Sequence, residues 1–202
     1  MSRFKTFVLP PLVLTLICAA IALMLGYVHA VTAAPIAEAE EQAKTAAINS
    51  IFPDATEITE TDLPEGADPD KQINAVYKVV NAGGFVGYAV NVTVGSGYGG
   101  EINMTVGISR DNTVRGIEIV SHSETAGLGA RIDELSFRQR FNGISEHAEI
   151  GENVDAITGA TISSKAVAAG VNAALSAVEP LFEYEEIRLL PSAADPIREV
   201  IS

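Results

Sequence analysis

The chain opens with a run that carries no Asp, Glu, Lys or Arg: "FVLPPLVLTLICAAIALMLGYVHAVTAA", Phe7 to Ala34. About 20 apolar residues in a helix cross the hydrocarbon core of a bilayer, so this run is long enough to span one with some tilt. Arg3 and Lys5 precede it, and no acidic residue occurs before Glu38. The positive-inside rule then places the N-terminus in the cytoplasm and everything after Ala34 on the outer face of the membrane, periplasmic or extracellular. A cleaved signal peptide is the alternative, since "VHA" and "VTA" both offer small residues at a cleavage site. The apolar run exceeds the usual signal core of about 7–15 residues, so an uncleaved single-pass anchor in the lipid bilayer is the expectation.

Charge narrows the partners of the rest. Of the 13 basic residues only Arg3 and Lys5 fall within residues 1–34, and none of the 26 acidic ones does, so the remainder stands at −15. Phosphate neutralisation needs a basic face, so nucleic acid is not an expected partner. Cys18 is the one cysteine and lies inside the apolar run. That leaves no intramolecular disulfide, no cysteine-ligated iron–sulfur cluster and no haem attachment motif. His29, His122 and His147 show no metal-ligand spacing. A metal centre is therefore not expected, and any redox role falls to an organic cofactor.

Beyond the anchor (1–34), residues 35–72 read as a connecting helix, from Pro35 to about Ile51, and an acidic loop with room for one short strand. Strand patterns follow at Ile73–Val80, Gly84–Val94, Glu101–Ser109 and Thr113–Val120, with Gly116 as a bulge candidate. Their short connections imply an antiparallel meander. A helix fits Ile132–Phe141. Another fits from near Ser163 to Val178, with its stripe at Ala166, Val167, Gly170, Val171, Ala174, Leu175 and Val178 and Pro180 as its stop. The expected fold is α+β: an antiparallel sheet flanked by helices, preceded by a single N-terminal transmembrane helix. Residues 73–180 form the folded domain, and 181–202 a C-terminal tail that could dock on the domain or on a partner.

Three segments carry chemistry. The first is "DAITGATISS", Asp155 to Ser164. Hydroxyl residues at a helix start are ordinary caps. The same place is also a seat for a phosphate, because the first N–H groups lack intrahelical acceptors and the dipole is positive there. Local physics leaves both readings open. The second segment, "SETAGLGARI" from Ser123 to Ile132, is a glycine-rich loop after a strand. Gly127 and Gly129 would also let backbone approach a flat ring, with Leu128 packing on it and Glu124 and Thr125 offering polar contacts. The third, "GSGYGGEI" from Gly95 to Ile102, is a tight β connection in which Tyr98 could stack near a ring and Gly99 and Gly100 approach it.

The first segment resembles the flavinylation motif D-x-x-(S/T)-G-A-T-x-(S/T) of the FMN-binding domain family. That family includes the G subunit of the Rnf electron-transport complex and the C subunit of the sodium-pumping NADH:quinone reductase. Asp155, Thr158, Gly159, Ala160, Thr161 and Ser163 fill every defined position. A chance match in a chain of this length is on the order of one in ten thousand or rarer. The other two segments resemble the family's E-T-P-G-L-G loop, with Ala126 in place of the proline, and its G-Y-G/S-G-x-I turn. The resemblance implies FMN joined through its phosphate to Thr161, loaded from FAD by a separate flavin transferase. It also implies an electron-carrier role among the other membrane, iron–sulfur and flavin subunits of a complex that couples ferredoxin and NAD to sodium or proton movement. The length and single anchor are more like the Rnf protein. An FMN-bearing subunit of another membrane redox system, such as the quinone reductase, is the alternative. A membrane-anchored binding module without flavin is the alternative from a different class. No Ser-His-Asp set or spaced acid pair points to a substrate-transforming site, so the chain reads as a carrier within a translocase.

Overall fold

The computed structural model describes residues 2–63, 66, 67, 70 and 72–189, with side chains for 11–63, 66, 67, 70 and 72–182. The chain divides into two units, Met1–Ala43 and Lys44–Ser202. Helix α1 runs Ser2–Ile51. In the first unit its apolar side chains point outward on every side: Leu14 is 63% exposed and Leu23 is 76% exposed. A helix that is apolar all round and covered by nothing suits a bilayer interior. It is long and apolar enough to cross a membrane, with none of its most apolar window buried in the chain. Thr15 and Thr32 donate their hydroxyls back to the carbonyls of Pro11 and Val28, each at 2.8 Å. Their polar atoms are thereby satisfied within the helix, as hydrocarbon surroundings require.

One boundary differs from the sequence reading. Pro35 reads as the start of a separate helix, yet α1 continues through it. Pro35 removes a single N–H donor, and the alanines on either side of it, with Glu38, Glu40 and Glu41 beyond, propagate the helix strongly enough to absorb that loss.

The second unit is built on a five-stranded antiparallel sheet in sequential order: β1 (Glu57–Thr61), β2 (Ile73–Asn81), β3 (Gly84–Val94), β4 (Ile102–Ser109) and β5 (Val114–His122). The meander, the α+β class and the single apolar N-terminal helix are as the sequence implied. Register slips by one at Arg115, next to Gly116: Gly107 pairs with Gly116, then Ile108 with Val114.

Alternation sends the two faces of the sheet to different partners. One face presents Tyr88, Val90, Val92, Val94, Met104 and Val106 to helix α3 (Thr161–Leu189), whose Val167, Val171, Ala174 and Val178 are buried against them. The other face receives Ile48, Ile51 and Phe52 over Val79 and Ala89. Gly107 allows that approach, since a Cβ there would clash with Ile51 Cγ2 and lie 2.9 Å from Phe52 Cε2.

Two helical expectations are corrected. Ile132–Phe141 is not one helix. It is a 3-10 turn at Gly129–Asp133, a short helix α2 (Leu135–Arg138) and a second 3-10 turn at Gln139–Phe141. The broken path lets Ile132, Phe137 and Phe141 all reach the core, with the two rings edge-to-face at 5.4 Å. Pro180 does not stop α3, which runs to Leu189 with the proline inside it. Packing outweighs local propensity there: Leu181 is buried, and the Phe182 ring lies 5.0 Å from Tyr88 and 6.2 Å from Phe85. The tail at 190–202 lies outside the described residues.

Candidate functional site

Residues 95–101, 123–129 and 155–163 converge at the N-terminal end of α3. Strand pairing explains the first two. Val94 pairs with Ile102 and Ile102 with His122, so the β3–β4 connection and the chain leaving β5 quit the sheet at one edge. The third segment arrives because α3 lies along the same sheet. Gly170 permits that approach, since a Cβ there would come within 2.8 Å of Met104 Cε.

Together they wall a cleft of about 410 Å³ lined by Tyr98, Glu124, Thr125, Leu128, Gly129, Gly159, Ala160, Thr161, Ile162 and Ser163. Nine of these ten are candidates from the sequence. Ile162 is not, since it fills an undefined position of the motif, and it is 52% exposed. The remaining candidates lie outside the lining. Gly127 holds a φ of +76°, the turn conformation that favours glycine. A Cβ at Gly99 would collide with Ser123 O, and one at Gly100 would lie 3.1 Å from Ser123 Cβ. These two glycines therefore let one loop lie against the other. Asp155 and Thr158 are exposed.

Each hydroxyl of "DAITGATISS" has a distinct environment. Thr158 faces solvent, and Thr161, the first residue of α3, is exposed at the cleft. Ser163 is 1% exposed and donates to Glu124 Oε2 at 2.8 Å. Ser164 is fully buried, accepts the Ile157 N–H at 3.0 Å and donates to Ala160 O at 2.9 Å. It closes the Ile157–Ala160 turn on itself. Gly159, with φ +83°, supplies the left-handed residue that this turn needs. The helical ladder begins with Ser164 N donating to Ala160 O. The N–H groups of Thr161, Ile162 and Ser163 therefore have no intrahelical acceptor.

Glu124 ties the three segments together. Its carboxylate, on a residue only 8% exposed, accepts from Ser163 Oγ through Oε2 and from the Gly99 N–H through Oε1 at 3.3 Å. Its own N–H donates to His122 Nδ1 at 3.2 Å. Arg140, which no sequence pattern singled out, anchors the entry to the first motif. Its Nη1 donates to Asp155 O at 2.7 Å and Ala156 O at 3.2 Å, with the guanidinium over Phe137. A larger hollow of about 580 Å³ lies by His147, Glu149, Lys165 and Asn172. It contains no candidate residue, so the smaller cleft is the candidate site.

Known proteins resemble this chain. Residues 97–176 match the FMN-binding domain. The G subunit of the Na(+)-translocating ferredoxin:NAD(+) oxidoreductase complex of Acetobacterium woodii is 33% identical over 188 residues, covering 84% of this chain and 90% of that protein. The G subunit of the ion-translocating oxidoreductase complex of Methanosarcina acetivorans is 33% identical over 183 residues, covering 88% and 96%. Among solved structures, the C subunit of the Na(+)-translocating NADH-quinone reductase from Parabacteroides distasonis is similar at TM-score 0.49 and 23% identity, covering 63% of this chain and 78% of that one.

Proposed function

This chain belongs to the FMN-binding domain family, among the G subunits of ion-translocating oxidoreductase complexes, and from that premise we propose that it is a membrane-anchored electron carrier holding FMN as an ester on Thr161. It works within an Rnf-type ferredoxin:NAD oxidoreductase coupled to ion movement, with the other subunits of that complex as its electron partners. The observation that carries the reading is the convergence of all three motifs on one cleft, with the Thr161 hydroxyl exposed at its wall.

The residues fit the cofactor. The cleft volume lies in the range of small-molecule sites. Tyr98, Leu128 and Ile162 are each at least half exposed there, giving apolar surfaces for a flat ring. The open N–H groups at the start of α3 and the positive end of its dipole suit a phosphate on the adjacent threonine. When bound, FMN supplies reversible electron uptake and release. The chain's part is to hold, orient and shield it: Thr161 tethers, the α3 N-terminus steadies the phosphate, and the apolar trio keeps water from the ring.

Attachment is a phosphoryl-group transfer. Thr161 Oγ1 would bond to the FMN phosphorus of FAD as the bond between the two phosphates breaks, with AMP leaving and the hydroxyl proton passing to a base. A threonine hydroxyl needs such a base. A flavin transferase supplies it in this reading. A tether keeps the cofactor in place on the outer face of the membrane. The N-terminus is cytoplasmic and the folded unit lies outside, as the charge bias around α1 supports.

The test is the mass of the peptide containing Thr161 from the full-length protein produced with a flavin transferase. Addition of one FMN moiety is expected, along with flavin fluorescence that persists through denaturing electrophoresis. Thr161→Ala should give a folded, membrane-bound, colourless protein. Flavin retained by that variant after acid precipitation would place the bond elsewhere.

A further inference from the structure

Glu124 invites a question that a latch does not answer. Each of its two carboxylate oxygens accepts a hydrogen bond within the chain, from Ser163 Oγ and the Gly99 N–H. Glycines close in around it. A Cβ at Gly97 would lie 2.6 Å from Oε1, and one at Gly129 would collide with Oε2. The seat is thus shaped to this group, and the side chain is held in one place at the cleft wall. Among the described residues no Lys or Arg pairs with it. Burying an unpaired carboxylate costs more than burying an amide of the same shape. A carboxylate fastens these loops more strongly than an amide would, and the same charge, set in the cleft wall, also acts on whatever occupies the cleft.

We infer that Glu124 is a positioning residue with an electrostatic role, fixing a negative charge in the cleft wall that makes a flavin held there harder to reduce. The inference rests on the flavin reading above. A ring that gains electrons gains negative charge, and a fixed carboxylate opposes it. Glu124 is only 8% exposed, so the opposition is screened less than it would be in bulk solvent. Glu124 makes and breaks no bond and passes no proton in this role. The first turn of α3, with its positive dipole end, offsets part of the burial penalty.

The experiment uses the full-length protein with FMN verified on the Thr161 peptide by mass. Midpoint potentials are measured by spectroelectrochemical titration for wild type, Glu124→Gln and Glu124→Asp. The glutamine variant should shift electron uptake toward the reduced form by about tenfold or more, equivalent to about 30 mV for a two-electron couple. The aspartate variant keeps the charge and should stay within about threefold of wild type. A glutamine variant with an unchanged or lower potential overturns the inference. So does an equal rise in both variants, which would mean packing rather than charge. If near-ultraviolet circular dichroism shows that the glutamine variant does not fold, Glu124→Ala, which also removes the charge, takes its place. A tenfold shift toward the reduced form supports the inference, and an unchanged potential overturns it. Wild-type protein without FMN on Thr161 would sink the flavin reading and this inference with it. That failure is distinct because there is then no flavin to titrate.

Discussion

Ser163→Ala isolates the contact that joins the start of α3 to the loop after β5. The hydroxyl is 1% exposed and its acceptor residue 8%, so water does not readily replace the lost donor. A hydrogen bond to a charged group contributes about 1.5–3 kcal/mol, and its loss leaves the carboxylate with only the longer bond from the Gly99 N–H. Alanine returns up to about 0.5 kcal/mol through helix propensity. The net loss is then about 1–2.5 kcal/mol, or a fall in Tm of about 2–10 °C for a unit of this size. The assay is unfolding of flavin-free, detergent-solubilised full-length protein, followed in the near ultraviolet so that α1 contributes little. Thr158→Ala, at an exposed hydroxyl of the same motif, is the control and should stay within about 0.5 kcal/mol of wild type. A Ser163→Ala loss no larger than the control's would refute the picture of Glu124 and Ser163 as a buried, water-excluded pair.

Other perturbations probe the site and its scaffold separately. Gly159→Ala forces a Cβ onto a residue at φ +83°, at a strain of about 1–2 kcal/mol, and brings that carbon 3.4 Å from the Leu128 side chain. Reduced FMN incorporation on Thr161, read by peptide mass, is expected, and full incorporation at a wild-type rate would count against a tight turn beside the cleft. Gly107→Ala drives a methyl group into Ile51 and Phe52 on the face opposite the cleft. It should destabilise by about 1–3 kcal/mol in denaturant unfolding while leaving the flavin spectrum unchanged, and a spectral change would show that the two faces are coupled.

Local chemistry made the strands legible. β-branched residues alternating over Gly84–Val94 and Ile102–Ser109 have one stable arrangement when one face must be buried, and their short connections leave only antiparallel pairing. The helical regions were less legible, because propensity competes there with contacts from far along the chain. Pro180 reads as a terminator until Phe182 is seen packed on Tyr88 and Phe85. Ile132–Phe141 reads as a helix until three of its side chains must all reach one core. At the site, the motif pointed to Thr161, but it did not assign the hydroxyls around it. Ser163 and Ser164 have the composition of a cap, and their partners turn out to be a glutamate 39 residues earlier and the motif's own turn.

Taken alone, the amino-acid order determined the features that depend on period and charge. These are an uncharged helix long enough for a bilayer, a sheet built by alternation, and a hydroxyl-rich helix start suited to a phosphate. Those properties are set within a few turns or a single strand, where neighbours in sequence are neighbours in space. The tertiary structure decided what depends on long-range closure: that Tyr98, Glu124 and Thr161 share one cleft, and that Glu124 is buried against Ser163. The physical reason is that no periodicity records the edge at which loops leave the sheet or the depth at which α3 settles on it. Those follow from strand register and from close approaches such as Gly170 against Met104, which exist only once the sheet and helix have packed.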